Sequence, residues 1–499
     1  MAKPEATQMD KIVNLAKRRG FVFPSAEIYG GLGGFWDWGP LGTLLKNNIK
    51  RQWWRTFVQL RDDMVGLDGA IITNPKVWEA SGHTSLFADL LVESKTSHKR
   101  YKLEDLLDEK HKKLMSTAYD QAIAVMNIDK TEKAKEVVGG AMDMIHEYLV
   151  NHAKEPGTSN QDWAYPDFFN TMFRTVIGAA ESTSDIAYLR PETAQNIFVN
   201  FEVVRDSMRR QLPFGVAQIG KAFRNEITPG NFIFRQREFE QMEIEYFVKP
   251  GDDDASFDVW VAACYDWFVS LGLNPKHLRK FEQPKKELAH YSKATTDIEY
   301  AFPIEKGWGE LMGIANRTDY DLKQHGQHAK GDSEAFATPI DDEGKEKKVP
   351  YVIEPSWGID RLVLALLIDA YTVIGGGRST TTASIKEEEV VLKLHPRLAP
   401  YTVAVLPLSK KPELTSIAEK ILSTLRRDWM VDYDLAGSIG KRYRRQDEIG
   451  TPWCVTVDFD TIEGVKRPKG TVTVRDRDTM TQENVAIQDL SEYFRGKLA

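Results

Sequence analysis

The rhythm of apolar and polar positions changes several times along the chain. An amphipathic helical pattern opens it and runs into the glycine- and aromatic-rich stretch "YGGLGGFWDWGPLG". Helical spacing predicts a long helix from Leu44 to Leu60, then an apolar strand in "MVGLDGAIIT", with Pro75 ending the element. From Tyr101 to Lys154 the chain is highly charged, helix-periodic and poor in aromatics, the pattern of a helical insertion standing on the surface. Between Asp167 and Val248 the spacing switches to strands and turns. A helix is predicted over Ala255–Glu287, strands follow in "DIEYAFPIEKGWGELMGIANRTDYDL", and 323–350 read as a polar loop. "YVIEPSWGIDRLVLALLIDAY" passes from an apolar strand through a Pro-Ser-Trp-Gly turn into an apolar helix.

Past the polar junction "KEEEVVLKLHPRLAP", strands alternate with helices. "TVAVLPL", "MVDYD", "PWCVTVD" and "GTVTVRDRD" are strands; Glu413–Asp428, "GSIGKRYRRQDEIG" and a last segment near Asp489–Phe494 are helices. That alternation predicts a C-terminal α/β domain. Four blocks result: 1–99, a mostly helical insertion at 100–160, 161–395, and 400–499.

Composition narrows the setting. A chain of 499 residues exceeds one ordinary core, and 42% hydrophobic with 28% charged residues is a globular balance. The longest apolar run, near Leu362–Ile368, falls short of the ~20 residues a membrane span needs. The N-terminus has no apolar core of a signal peptide, so none is expected. Cys264 and Cys454 cannot build a disulfide framework or a Cys-rich zinc site, so no zinc is expected and a reduced cytoplasm fits. The net charge of −7 disfavours a nucleic-acid partner unless positive charge is concentrated locally. Lys441, Arg442, Arg444 and Arg445, with Tyr443 among them, are such a concentration, or else a solvated helix face.

The candidate chemistry begins with "FRNEITPGNFIFRQREFEQMEIEYF", Phe223–Phe247. Strand alternation puts Arg224 and Glu226 on one face, "TPGN" turns the chain, and Phe239 shares a face with Gln241 on the return. A hairpin presenting an arginine, a carboxylate and a ring can hold a nucleotide; it can equally be a surface hairpin with cross-strand ion pairs. In "VIEPSWGIDR", Arg361 falls in the first turn of a helix, where the dipole disfavours a cation unless an anion is near. Glu310 interrupts a small, apolar strand, which calls for a cation, a metal or a structural ion pair. "IGGGRSTTT" lacks the Gly-Lys-Ser/Thr ending of a phosphate loop, and "HGQH" sits in a polar stretch without standard ligand spacing. No Ser-His-Asp or Gly-x-Ser-x-Gly arrangement appears.

Taken together these segments resemble the class II aminoacyl-tRNA synthetases. Arg55–His83 is similar to the first signature motif, the "FRNE" hairpin to the second and "VIEPSWGIDR" to the third. "LRPETAQ", "FRQREFEQME" and "VIEPSWGIDR" resemble the homodimeric glycyl-tRNA synthetases, and "GSIGKRYRRQDEIGTPWCVTVD" the anticodon-binding domain of that group. The resemblance implies an α+β fold: an antiparallel-sheet catalytic domain flanked by helices, with a C-terminal α/β anticodon-binding domain. It implies glycine, ATP, Mg²⁺ and tRNA(Gly) as ligands, no membrane, and a homodimer.

Carried over position by position, Arg224 holds the α-phosphate and the glycine carboxylate, and Glu226 accepts from the adenine amino group. Phe239 stacks under adenine with Arg361 over its other face, Arg235 reaches the γ-phosphate, and Glu310 binds magnesium. Asn225, Phe234, Leu311 and Gly358 complete the ATP site. Glycine falls to Arg100, Glu192, Glu243, Glu354 and Ser356, bordered by Phe239 and Gly358; tRNA falls to Lys441, Arg442, Arg444 and Arg445. The rivals are another synthetase with this anticodon domain and a non-catalytic, nucleic-acid-binding paralogue, which has no reason to keep Arg224, Glu310 and Arg361 together.

Overall fold

The computed structural model describes residues 6–86, 88–115, 132–178, 186–289, 291–304, 307–331, 334, 336–341, 344–376 and 388–498. Helix α1 (Gln8–Arg19) starts at a reciprocal cap between Thr7 and Asp10 and stops at Gly20, whose φ of 78° suits only a residue without Cβ. Helix α2 (Pro40–Trp54) opens on proline and continues through a π turn at Arg55–Gln59, close to the predicted helix. Then come β1 (Met64–Gly66), β2 (Phe214–Phe223), β3 (Glu238–Val248), α3 (Asp253–Ser270), β4 (Leu278–Glu282) and β5 (Ala294–Ala301). β6 (Trp308–Thr318), α4 (Tyr320–Lys330), β7 (Tyr351–Gly358) and α5 (Ile359–Ala370) complete the first domain.

The main sheet has seven strands in the order β4-β5-β6-β7-β3-β2-β1, antiparallel except where β1 runs alongside β2. Alternation along β3 divides its two faces. Met242, Ile244, Tyr246 and Val248 are buried in the core with Trp260, Cys264, Trp267 and Phe268 of α3. Phe239, Gln241, Glu243 and Glu245 fall on the other side. Trp53 and Phe57 pack onto Trp357 at ring separations of 5.5 and 5.0 Å, so both are consumed within this chain; Trp54 stays 36% exposed.

Two helix predictions are corrected here. The helix predicted to Glu287 ends at Ser270, because Gly272 takes a left-handed φ of 94° and Pro275 removes a donor; the exposed edge strand β4 follows. The predicted loop 323–350 begins with α4, whose inward face carries Asp321, Leu322 and His325, and so lacks the apolar stripe that would have revealed it. The insertion is not all helix either. Ala88–Glu93 is the central strand of a three-stranded sheet with Arg100–Lys102 and Asp167–Asn170. Helix Glu132–His152 packs onto this unit through Met142, Ile145 and Leu149, against Val92, Leu103 and Trp163.

In the second domain β8 (Val403–Pro407), α6 (Pro412–Leu425), β9 (Val431–Tyr433), α7 (Ile439–Ile449) and β10 (Trp453–Val457) alternate as predicted. β11 (Thr471–Asp476), β12 (Gln482–Ala486) and α8 (Leu490–Leu498) end it, in a sheet ordered β9-β8-β10-β11-β12 around its own core. The domains meet where α7 lies against Glu388–Leu392: Arg444 Nε donates to Glu389 (2.8 Å), and Arg18 and Arg19 of α1 hold Glu448 at 3.0 and 2.6 Å. Most of "IGGGRSTTT" lies outside the described residues. Cys264 and Cys454 are buried free thiols, and no described helix is long and apolar enough to cross a membrane.

Candidate active site

The polar face of the main sheet opens into a cleft of about 390 Å³. Pairing across the sheet assembles it: Gln241 lies opposite Gly220 and Gly358, Glu243 opposite Gln218 and Ser356, and Ala315 opposite Glu354. Strand β2 stops at Phe223, and just beyond it the Glu226 N–H donates to the Arg224 carbonyl (2.7 Å); Arg224 and Glu226 both line the cleft while Phe223 does not. Arg224 Nε donates to the Pro191 carbonyl (3.0 Å), and its guanidinium carbon stands 5.5 Å from the Phe239 ring centre. Arg361 donates to the carbonyls of Phe234 (3.0 Å) and Glu310 (2.8 Å), with its guanidinium 4.5 Å over the Phe234 ring. Two arginine–ring pairs thus flank this end, joined by Arg235, which approaches Glu226 at 4.0 Å.

Glu310 is not the buried carboxylate that its strand context suggested. A one-residue bulge at Leu311 turns it toward the mouth, where its side chain is 49% exposed and meets Arg361 at 3.2 Å. Asp297, facing it from β5, is pushed up to about 7 by burial and by Glu310. A Cβ on Gly313 would lie 3.4 Å from an Asp297 oxygen and 3.6 Å from one of Glu310, so both carboxylates converge above that glycine.

The other end is a pocket of acids. Glu192, Glu243, Glu354 and Ser356 line it. Against the rise that burial would cause, His83 (3.3 Å) and Arg317 hold the Glu192 carboxyl far below its ordinary range. Burial pushes Glu354 up to about 8 against the pull of Arg317, which binds it at 2.6 Å. Arg317 also pairs with Asp321 at 2.7 and 2.9 Å and stacks 3.8 Å over the Tyr291 ring. Glu243, pushed up by burial and Glu192, accepts from the Thr193 hydroxyl.

Two expected members do not reach the cleft. Asn225 turns away, its N–H donating to the Thr171 carbonyl (2.7 Å), and Arg100 sits exposed on the insertion sheet, held by Glu93 at 3.0 Å. The basic face of α7 is also corrected. Arg442 is 2% exposed and donates to the carbonyls of Pro407 (2.6 Å), Leu408 (3.2 Å) and Asp434 (3.1 Å), capping the strand ends. Arg445 is engaged by Asp434 (2.6 Å) and Arg444 by Glu389, which leaves Lys441 as the exposed cation of the four. Arg317, Asp321, Glu245, Asp297 and His83 were missed. The four-residue Arg317–Asp321 spacing, which crosses from β6 into α4, and the run of acids at 243 and 245, were the available signals.

Residues 179–370 match the family described as "tRNA synthetase class II core domain (G, H, P, S and T)", and 402–497 match "Anticodon binding domain". The chain is 48% identical over 499 residues to a protein named glycine–tRNA ligase from Thermobifida fusca, covering 100% of this chain and 99% of that one. It is 50% identical over 494 residues to one of the same name from Geobacillus thermodenitrificans, covering 99% and 98%. In fold it resembles a prolyl-tRNA synthetase from Cryptosporidium parvum, solved with L-proline and AMP: TM-score 0.57 at 14% identity, over 99% of this chain and 75% of that one.

Proposed function

Since this chain belongs to the glycine–tRNA ligases, with a class II core and an anticodon-binding domain, we propose that its cleft joins glycine to ATP and passes the glycyl group to the terminal adenosine of tRNA(Gly). The observation that carries this reading is the division of one cleft into a cationic, aromatic end and an acidic end. Triphosphate and adenine suit the first, an ammonium group the second.

Glycine carboxylate attacks the α-phosphorus, and pyrophosphate leaves. No protein nucleophile is required; alignment and charge neutralisation lower the barrier. Arg224 takes the α-phosphate and the carboxylate, Glu226 accepts from the adenine amino group, and Phe239 supplies the ring beneath it. Arg361, with Phe234 under it, and Arg235 take the outer phosphates; Leu311 and Gly358 shape the floor. Glu192, Glu243 and Glu354 receive the ammonium, with Ser356 close to the α-carbon. Such crowding by charged groups excludes alanine better than an apolar pocket, where a methylene is worth only ~1–3 kcal/mol. Glu310 and the convergent Asp297 form an all-oxygen donor set that fits magnesium; when bound, the ion would neutralise phosphate charge.

The adenylate chemistry belongs to 1–99 and 161–395, and tRNA recognition to 400–499, with Lys441 as one contact. A homodimer is supported by the exposed Trp54, Leu60, Ile71 and Ile72 around the first motif, and a cytoplasmic setting by the two unpaired thiols. ATP–pyrophosphate exchange across a panel of amino acids tests the whole reading. Exchange should depend on glycine alone; dependence on another amino acid, or none, overturns it.

A further inference from the structure

Glu245 is used by nothing described so far. It lies on β3, one alternation beyond Glu243 on the same face, is 0% exposed, and neither carboxyl oxygen has a hydrogen-bond partner. Oxygens of Glu243, Glu245 and Glu354 all come within 4.8 Å of one another. The charges around them do not balance. Arg317 is the cation inserted among these acids, and Asp321 and Glu354 already engage it. Arg190, close enough to Glu243 to interact with it electrostatically, donates to the carbonyls of Lys221 (2.7 Å) and Gly69 (2.8 Å) and makes no ion pair with the cluster. His83 faces Glu192, His325 from α4 faces Gln195, and Tyr291 lies against Arg317. A fully buried carboxylate with no donor is too costly to leave ionised, and carboxyls this close cannot all ionise together.

We propose that the Glu243–Glu245–Glu354 cluster holds a proton while the acidic end of the cleft is empty, and that the glycine ammonium replaces this proton on binding. The inference rests on the acidic end being the glycine site. The balance is simple: an O–H bond on a cluster carboxyl breaks, the proton passes to the buffer, and ammonium N–H groups donate to the carboxylates left behind. Glu245 is a positioning residue in this scheme. It does not line the cleft, but it supplies the excess negative charge that makes the cluster retain a proton. Burial, with Glu354 second, drives its carboxyl well up, in keeping with a neutral acid in the empty site. Because proton and ammonium compete, glycine affinity rises with pH until the cluster is ionised. A one-proton linkage lowers the glycine KM about tenfold per pH unit below that point, with little change in kcat.

The test is calorimetric titration of the full-length protein with glycine at neutral pH, in phosphate and in Tris, whose ionisation heats differ. Unequal heats equivalent to release of a proton are expected; equal heats overturn the proposal without any variant being made. Next, the pH dependence of the glycine KM is measured in folded variants, checked by thermal melting. The slope should vanish in Glu245→Gln and persist in His83→Gln, His83 being the imidazole that pairs with Glu192 at 3.3 Å. A slope that survives Glu245→Gln, or that His83→Gln alone removes, also overturns it. Glu192→Gln separates the premise: unchanged glycine binding there defeats the assigned glycine site itself, whereas weakened binding with equal buffer heats in the wild type defeats only the proton exchange.

Discussion

Arg224 enters the cleft with its Nε donating to the Pro191 carbonyl, which fixes the plane of the guanidinium beside the Phe239 ring. In the role proposed for it, its contribution grows as charge builds on the α-phosphate, so its loss acts on the transition state. Arg224→Ala should reduce glycine-dependent pyrophosphate exchange on the order of 10²–10³-fold, by analogy with oxyanion donors, and Arg224→Lys should not restore it, because an ammonium lacks the planar fork. A mere surface ion pair would leave exchange nearly intact. Lys46 works differently. It is buried, and its Nζ meets Asp360 at 2.8 Å and Glu240 at 3.0 Å, while Asp360 also accepts from the Glu240 N–H. These contacts tie α2 to the start of α5, where Arg361 sits. Lys46→Met should destabilise the fold by ~3–5 kcal/mol, seen as a lower melting temperature, because it strands buried acids. Burial would lower the Lys46 pKa, but Asp360 and Glu240 raise it; Glu240 falls despite burial, chiefly through Lys46. The wild-type advantage should therefore hold through neutral and mildly alkaline pH and shrink in acid, as Glu240 protonates below the ordinary glutamate range.

At the scale of elements, a buried carboxylate hub ties the insertion together beside its apolar cluster. Glu155, 1% exposed, accepts from Ser97 (2.5 Å), Ser94 (3.0 Å), Tyr101 (3.0 Å) and Asn160 (3.2 Å), joining both sides of its small sheet. The Ser97 hydroxyl, against burial and with the other donors, holds the carboxyl down to about 2. A depressed pKa contributes stability above the ordinary glutamate value that is lost as pH falls toward about 2. Acid-protease cleavage should therefore open the insertion before the main sheet as pH is lowered from 5. Glu155→Gln should bring that opening to neutral pH, since an amide cannot accept from so many hydroxyl and amide donors; equal resistance of variant and wild type there would refute the hub.

At the scale of the whole molecule the two domains share a buried seam. Ile449 of the second domain belongs to the same buried cluster as Leu392, Leu394 and Leu398 of the first. Removing residues from Pro400 onward should abolish tRNA charging far more than adenylate formation, measured side by side on protein shown to be folded. Equal losses would mean that the second domain takes part in the chemistry. The partner surface is also a whole-molecule matter. Because Trp53 and Phe57 are spent inside the chain, the surface we propose for a dimer contact is Trp54 (36% exposed), Leu60 (66%), Ile71 (37%) and Ile72 (40%). Sedimentation at micromolar concentration should give a dimer, and Leu60→Asp with Ile72→Asp should shift it toward monomer without lowering the content of secondary structure.

What the linear order of residues determined by itself was local and periodic. Period-two spacing was enough to put Phe239 with Gln241 on a shared face, and the helix start that carries Arg361 was legible. The Pro-Ser-Trp-Gly stretch before it, however, is the paired end of β7 rather than a turn, and Arg224 and Glu226 reach the cleft from beyond the end of β2. The strand–helix alternation after Pro400 was equally legible. Tertiary structure alone decided which face met which neighbour. Strand alternation does not say what lies across a sheet, so the union of Glu243 and Glu354 with Arg317 came only from the β3–β7–β6 order. Helical spacing does not say where orphan carbonyls are, so Arg442 looked like part of a basic face until the ends of β8 and the segment after β9 claimed its donors. A strand read without its bulge hides the direction of Glu310, and Arg100 could be separated from the cleft only by seeing the sheet it pairs into. Solvation explains the rest: a carboxyl such as Glu245 is ordinary in sequence, and becomes consequential only because folding removes its water and gives it no donor in return.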